Sequence, residues 1–172
     1  MTTTTINQAA AAPSVLDAAR IYAALGLSVI PLHGKRPALE RWAQYQQQRA
    51  SASDIDDWHR RGLLHNVGIV CGEVSGGLTV LDLDGAAGYP AFAATFPGLA
   101  DTFTVATGGG VGRHVYFYTN TLPPSIKAMS TPIGNLELCA SGRQVVAPPS
   151  IHPTSGQPYR VAQARDILRV PD

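Results

Sequence analysis

The chain has 172 residues, of which 45% are hydrophobic and 15% are charged, and its formal net charge is +1. This composition predicts one folded domain with a substantial core, and it argues against a polycation that coats nucleic acid by charge alone. The only two cysteines, Cys71 and Cys139, are too few for a disulfide framework or a four-ligand zinc site. We therefore expect both cysteines to be buried as small hydrophobic side chains, and we expect no zinc.

The first 13 residues, MTTTTINQAAAAP, lack the basic start and the long apolar core of a signal peptide. They are predicted to form a disordered tail, and residues 14–172 are predicted to form the folded domain. No run of the sequence reaches the ~18 apolar residues of a membrane span. We therefore expect a cytoplasmic protein without a membrane partner.

Helix and strand signals alternate in the first half of the chain. Ser14 is predicted to cap a helix that continues to about Leu25 and stops at Gly26. The segment LSVIPL follows as a strand, HGKRPA as a turn and LERWAQYQQQ as a helix. Ser51 and Ser53 each precede an acid by three residues, which is a capping-box pattern that begins another helix.

Strands dominate the second half. NVGIVCG and GLTVLDLDG are predicted as two strands joined by EVSGG, and YPAFAATF as a short helix. Two strands flank a glycine-rich loop in TFTVATGGGVGRHVYFYT, and GNLELCASGRQVVAPPS has the pattern of a hairpin. QPYRV and a short terminal segment complete the chain. This order predicts an α+β fold with a largely antiparallel sheet.

Three of these strands place an acid or a histidine on one face. Because strand side chains alternate, Asp82 and Asp84 share the face of Val80, while the neighbouring leucines point to the other face. The same rule separates Glu137 from its flanking leucines, and His114 from Val115 and Phe117. If the three strands belong to one sheet, Asp82, Asp84, Glu137 and His114 line one surface.

Three carboxylates on one surface repel each other unless a cation lies between them. Hard oxygen ligands suit Mg²⁺ or Mn²⁺, and a two-metal site of this kind can clamp both oxygens of a phosphoryl displacement. The sequence therefore predicts that Asp82, Asp84 and Glu137 are metal ligands. The alternative is that the two aspartates only end a strand and cap the helix that begins near Gly88.

The loop TGGGVGRH, Thr107 to His114, is a candidate phosphate site because glycine amides, including that of Gly110, can approach an anion closely. Arg113 and His114 follow the loop directly and favour a polyphosphate. The loop matches neither the phosphate-binding loop of nucleotide hydrolases nor the dinucleotide fingerprint, and a flexible hairpin loop is the alternative. Lys35, in the HGKRP turn, and Arg143, after the CASG turn, are further candidate cations or else solvated side chains.

The remaining histidines, His33, His59, His65 and His152, lack the spacing of metal ligands and are interpreted as structural or surface residues. The two tryptophans, Trp42 and Trp58, lie on predicted helices. Both are expected to belong to the core rather than to stack on bases.

Taken in order, LDLDG, TGGGVGRHVYF and LELCASGRQVVAPPSIHP resemble the bifunctional primase–polymerase (Prim-Pol) domain. This domain belongs to the archaeo-eukaryotic primase superfamily and occurs in phage and plasmid replication proteins. The resemblance extends from about Ala18 to Val161 and includes SVIPLHGKRPAL. One departure is that many relatives have an arginine soon after the third acid, where this chain has Cys139 and Ala140.

The resemblance implies that an RRM-like, mostly antiparallel catalytic sheet packs with a smaller N-terminal α/β lobe. It implies that Asp82, Asp84 and Glu137 bind two Mg²⁺ or Mn²⁺ ions. His114 is implied to contact the phosphates of the incoming nucleotide, and Lys35 matches the family's cation in the early turn. Arg113, Arg143 and the Gly110 loop are the further candidates for contacts with the triphosphate.

The implied activity is template-directed synthesis of DNA or RNA from nucleoside triphosphates, with a DNA template and primer as partners. The implied setting is phage or plasmid replication in the cytoplasm of a bacterial host, with a helicase module in the full-length protein. A metal-dependent nuclease or phosphohydrolase, and a non-catalytic nucleotide- or DNA-binding module of a replisome, remain the alternatives.

Overall fold

Serine side chains set the start of the two longest helices in the computed structural model, which describes residues 5–171. The backbone N–H of Asp17 donates to Ser14 Oγ, which confirms the predicted cap. Ser51 and Asp54 form the predicted capping box, in which each side chain accepts from the other residue's backbone N–H. The α-helices are α1 (Ile6–Ala10), α2 (Val15–Ala24), α3 (Ala52–Arg60), α4 (Gly88–Thr95) and α5 (Pro97–Ala100).

The predicted disordered tail is wrong for residues 5–13, and residues 1–4 lie outside the described part of the chain. Thr5 opens α1 through a capping box with Gln8. Ile6 and Ala9 are buried in the core, where α1 packs against α2. The small alanine side chains of this segment allow two helices to approach closely.

The strands form two sheets. Their bounds are β1 (Ser28–His33), β2 (Arg36–Pro37), β3 (Asn66–Val70), β4 (Leu78–Leu83), β5 (Thr104–Ala106), β6 (Arg113–Thr119), β7 (Ile126–Thr131), β8 (Gly134–Cys139), β9 (Gln144–Ala147), β10 (Arg160–Gln163) and β11 (Leu168–Val170). The first sheet has the order β2-β1-β3-β9. The second has the order β10-β5-β6-β4-β8-β7, with β11 pairing in parallel with β6 and every other pair antiparallel. This confirms the predicted α+β fold.

Two local predictions differ from the structure. The segment around LERWAQYQQQ forms only a short 3₁₀ helix, Ala43–Gln46, instead of an α-helix. GNLELCASGRQVVAPPS is not a hairpin, because β8 belongs to the second sheet and β9 pairs with β3 in the first. In the segment between β8 and β9, the Arg143 carbonyl accepts from the Cys71 backbone N–H at 2.9 Å. This segment therefore passes from the second sheet to the first.

The larger core lies between the two sheets. Val80, Tyr116 and Cys139 of the second sheet are buried there with residues of β1, β3 and α2, and Cys71 is buried in the same cluster. Both cysteines are free and buried, as expected. The opposite face of the second sheet carries Leu83, Val115 and Phe117, which pack under α4 and α5. No helix within residues 5–171 is long and apolar enough to cross a membrane.

Candidate active site

Strand register brings the predicted acids and the histidine together. Asp82 on β4 pairs directly with Glu137 on β8 and with His114 on β6. His114 Nε2 lies 3.6 Å from Asp82 Oδ2. Asp84 follows on the same face, and its backbone N–H donates to the Asn135 carbonyl at 2.9 Å. The side chains Val80, Tyr116 and Cys139 on this face are buried, so the polar group lies where the inter-sheet core ends.

A cavity of about 300 Å³ opens over this end of the sheet, with a second of about 160 Å³ beside it. Lys35, Asp82, His114, Glu137 and Tyr159 line both, and we call the pair the active-site cavity. The glycine-rich loop and Asp84 line only the larger part. The turn that carries Lys35 therefore faces the acids from the first sheet.

Three buried polar atoms of cavity-lining residues lack hydrogen-bond partners within residues 5–171. They are Asp82 Oδ1, His114 Nδ1 and Gln144 Oε1. An unsatisfied buried carboxylate oxygen is costly, and in native proteins it usually indicates a missing ion or water. Partial burial raises the pKa of the Asp84 carboxyl, and the negative charge of Asp82 raises it further, while Lys35 and His114 oppose the shift.

The donor set fits a magnesium or manganese ion. Within the described residues, no three carboxylate, imidazole or thiol groups converge closely enough to enclose an ion by themselves. These cations, however, usually take one or two carboxylates and complete their coordination with waters and substrate phosphates. The unpartnered Asp82 oxygen, with Glu137 directly opposite, offers that kind of partial site.

The glycine-rich loop forms part of the cavity wall, but its amides are not all free. The Thr107 N–H donates to the Gly112 carbonyl at 3.0 Å, and the Gly110 N–H donates to the Thr107 carbonyl at 3.1 Å. Gly109, Val111 and Gly112 line the cavity, whereas Gly110 does not. The space is tight, because a Cβ at Gly112 would lie 2.6 Å from Thr107 Oγ1.

The two predicted arginines lie apart from each other. Arg113 pairs with Leu83 and shares the face of Val115, and its guanidinium donates to the Val111 and Gly112 carbonyls. Arg113 therefore supports the loop from outside the cavity. Arg143 lines a separate cleft that adjoins the active-site cavity at Glu137.

Sequence reasoning missed two residues of this cavity, His152 and Tyr159. The backbone N–H groups of Thr154 and Ser155 both donate to His152 Nδ1 at 3.3 Å, so a neutral His152 carries its proton on Nε2. A Cβ built at Gly109 would lie 3.8 Å from that Nε2 atom, which places it beside the glycine-rich loop. A single histidine without the spacing of metal ligands gives no indication in the sequence that it lies beside the glycine-rich loop.

Tyr159 lies between the two histidines. Its ring centroid is 5.9 Å from that of His114 and 6.0 Å from that of His152. Burial, and then the negative charges of Asp82 and Asp84, raise the pKa of the phenol to about 12. The Tyr159 phenol is therefore neutral near pH 7, and its ring packs against both imidazoles at the cavity.

An α+β domain whose cavity gathers carboxylates, imidazoles and a lysine has the composition of an enzyme that acts on phosphate esters. The family model described as bifunctional DNA primase/polymerase, N-terminal, matches residues 19–172. The chain belongs to this family, which confirms the resemblance seen in the sequence. Membership implies primase or polymerase activity on DNA with nucleotide substrates. No curated protein is similar enough in sequence to count as a match.

Proposed function

We propose that this chain performs template-directed nucleotidyl transfer in phage or plasmid replication, extending a primer with nucleoside triphosphates. One observation carries the proposal. Asp82 is the register partner of both Glu137 and His114, at a cavity that Lys35 also lines. Acidic side chains and a lysine thus border one space, as a reaction between a hydroxyl and a triphosphate requires.

The acidic side chains would hold the metal ions. Asp82, Asp84 and Glu137 supply the carboxylates, and the unpartnered Asp82 oxygen is the atom with the clearest need for a cation. When bound, two divalent ions make a primer hydroxyl easier to deprotonate and neutralise charge that develops on the phosphate oxygens. The pairing of Asp82 with both neighbouring strands fixes its backbone, so the position from which its side chain starts is set before substrate arrives.

The cationic and imidazole groups would hold the triphosphate. The Lys35 side chain has neither a hydrogen bond nor an ion pair within residues 5–171, so its charge is available to a ligand. His114 and His152 add ring N–H donors on either side of Tyr159. Phosphoryl transfer depends mainly on positioning and charge stabilisation, which is what such a set of fixed donors provides.

The direct test is incubation with a primed template, deoxynucleoside triphosphates and Mn²⁺. We expect extension by the wild-type chain and none by Asp82→Ala. Asp101→Ala is the matched control, since Asp101 is an exposed acid that lies outside the cavity and pairs with Arg165. Degraded DNA would instead identify a nuclease that uses the same acids, and binding without either product would identify a non-catalytic module.

A further inference from the structure

A cleft of about 210 Å³ adjoins the active-site cavity on the side away from the glycine-rich loop. Glu137, Cys139 and Gln144 line both the cleft and the cavity, so the two spaces are neighbours that share these residues. Pro37, Trp42 and Arg143 line the cleft. The side chains that the cleft adds to the site are thus a proline ring, an indole ring and a planar guanidinium.

Trp42 differs from the other tryptophan. Trp58 is 3% exposed and packs edge-on against Tyr45, as expected for a core residue. Trp42 packs against the core but is only half-buried, and it also borders the cleft. The expectation that both tryptophans belong to the core therefore holds for Trp58 alone.

Arg143 has a fixed backbone and an available side chain. Its N–H donates to the Ala140 carbonyl and its carbonyl accepts from the Cys71 N–H. Within residues 5–171, its guanidinium makes neither a hydrogen bond nor an ion pair, although Glu137 lines the same cleft. A guanidinium without these partners, on a backbone that is fixed, can stack on an aromatic ring system.

We infer that the cleft binds a nucleobase, which stacks on Trp42 and on the guanidinium of Arg143. This inference rests on the proposed function. Bases are recognised by stacking on aromatic and arginine planes, and such stacking tolerates every base because each has a π face. A base in the cleft has its sugar and phosphate on the side of Glu137, where the acids act. Either the incoming nucleotide or the template nucleotide opposite it can supply this base.

The fluorescent base 2-aminopurine, which is quenched when it stacks, distinguishes the two sources. One arm uses 2-aminopurine deoxynucleoside triphosphate with unlabelled primed template, and the other places 2-aminopurine in the template at the first unpaired position. We expect quenching in one arm, lost in Trp42→Leu and kept in Trp42→Phe. The affinity for the ligand that carries this base should fall about tenfold in Trp42→Leu. Quenching that is absent in both arms, or unchanged in Trp42→Leu, overturns the inference.

A second measurement covers the case in which Trp42→Leu does not fold. Trp58→Phe leaves Trp42 as the one tryptophan of the chain. Its emission should change on addition of deoxyadenosine triphosphate or of primed template but not of inorganic tripolyphosphate, and no greater response to either base-containing ligand than to tripolyphosphate overturns the inference. Neither readout measures extension. Stacking without any extension would therefore reject the proposed function alone, and extension without stacking would reject only the nucleobase site.

Discussion

The two faces of the second sheet differ most where they border the active-site cavity. Leu83, Val115 and Phe117 on one face are buried under α4 and α5. The other face also buries side chains in the inter-sheet core, but at the cavity it carries Asp82 and His114, each with a buried polar atom that lacks a partner within residues 5–171. The first face therefore only stabilises the fold, while the cavity end of the second leaves interactions unsatisfied that a ligand can complete.

This contrast shows how a short strand can serve stability and chemistry at once. Alternation separates the two roles by a single residue, so adjacent positions in β4 should respond to substitution in different ways. Substitutions on the apolar face should change the free energy of unfolding, and substitutions on the polar face should change activity. The predictions below test that separation, in order of decreasing effect.

The largest effect is expected on the apolar face. Phe117→Ala removes a ring that packs against Phe92 of α4, and it should lower the free energy of unfolding by about 3–5 kcal/mol. Denaturant titration measures this loss, and activity per folded molecule should not change. Phe96→Ala is the control, because Phe96 is 50% exposed and should cost much less. Equal losses for the two variants would contradict the assignment of the apolar face.

On the polar face, Glu137→Gln should reduce primer extension by about 100-fold, because a neutral amide cannot replace a carboxylate toward a cation. Its melting temperature in EDTA should equal or exceed that of the wild type, since the change removes repulsion with Asp82. Extension rates and thermal melting are the measurements. A variant with normal extension, or with a markedly lower melting temperature, would show that Glu137 has a structural role instead.

A smaller effect is expected at His152. His152→Ala removes an N–H donor beside the glycine-rich loop and should raise the KM for nucleotide about tenfold, as a hydrogen bond to a charged phosphate warrants. Steady-state kinetics measures KM, and the affinity for primed template should stay the same. His59→Ala, on the exposed end of α3, is the matched control. Weaker DNA binding with an unchanged KM would show that His152 contacts the DNA instead of the nucleotide.

The smallest effect concerns Asp84. Its pKa is raised from the ordinary value of 3.8 by burial and by Asp82, so the folded state disfavours the ionised carboxylate. Such a group destabilises the fold above its folded pKa, and the penalty disappears as the pH falls below its unfolded pKa. In EDTA at pH 7, Asp84→Asn should therefore melt about 1 °C higher than the wild type, a modest shift because solvent screens the charge.

The pH dependence is the check on this assignment. The difference in melting temperature between Asp84→Asn and the wild type should shrink as the pH approaches the ordinary pKa of the carboxyl. A variant that melts lower than the wild type at pH 7 would show that Lys35 and His114 outweigh burial and Asp82 in setting the pKa.

The grouping of the acids and His114 could be predicted because it depends on strand alternation, which is local in sequence. The hairpin prediction for β8 and β9 failed because turn residues alone do not say which sheet the next strand joins. That choice depends on the pairing of Val67 with Ala147, two residues far apart in the chain. The metal ligands and the triphosphate contacts remain predictions.

His152 could not be predicted for a related reason. Its position depends on the turn from Ser150 to Tyr159, which folds back so that the His152 N–H donates to the Gln157 carbonyl. This turn also brings His152 to the glycine-rich loop, where a Cβ at Gly108 would meet the His152 Cβ at 2.4 Å. Trp42 is similar, because it packs against the core and also borders a cleft that residues of β8 and β9 line.

The pairing of β9 with β3 also bears on synthesis by the ribosome. The first sheet cannot be completed until Gln144–Ala147 has emerged, although β1 and β3 emerge much earlier. At about 5–20 residues per second, the outer edge of β3 stays unpaired for several seconds. All five residues of Asn66–Val70 are buried in the finished fold. Until β9 pairs with it, this edge therefore exposes mostly apolar residues and unpaired backbone N–H and C=O groups. Nascent chains halted before Gln144 should therefore be held by chaperones at this strand.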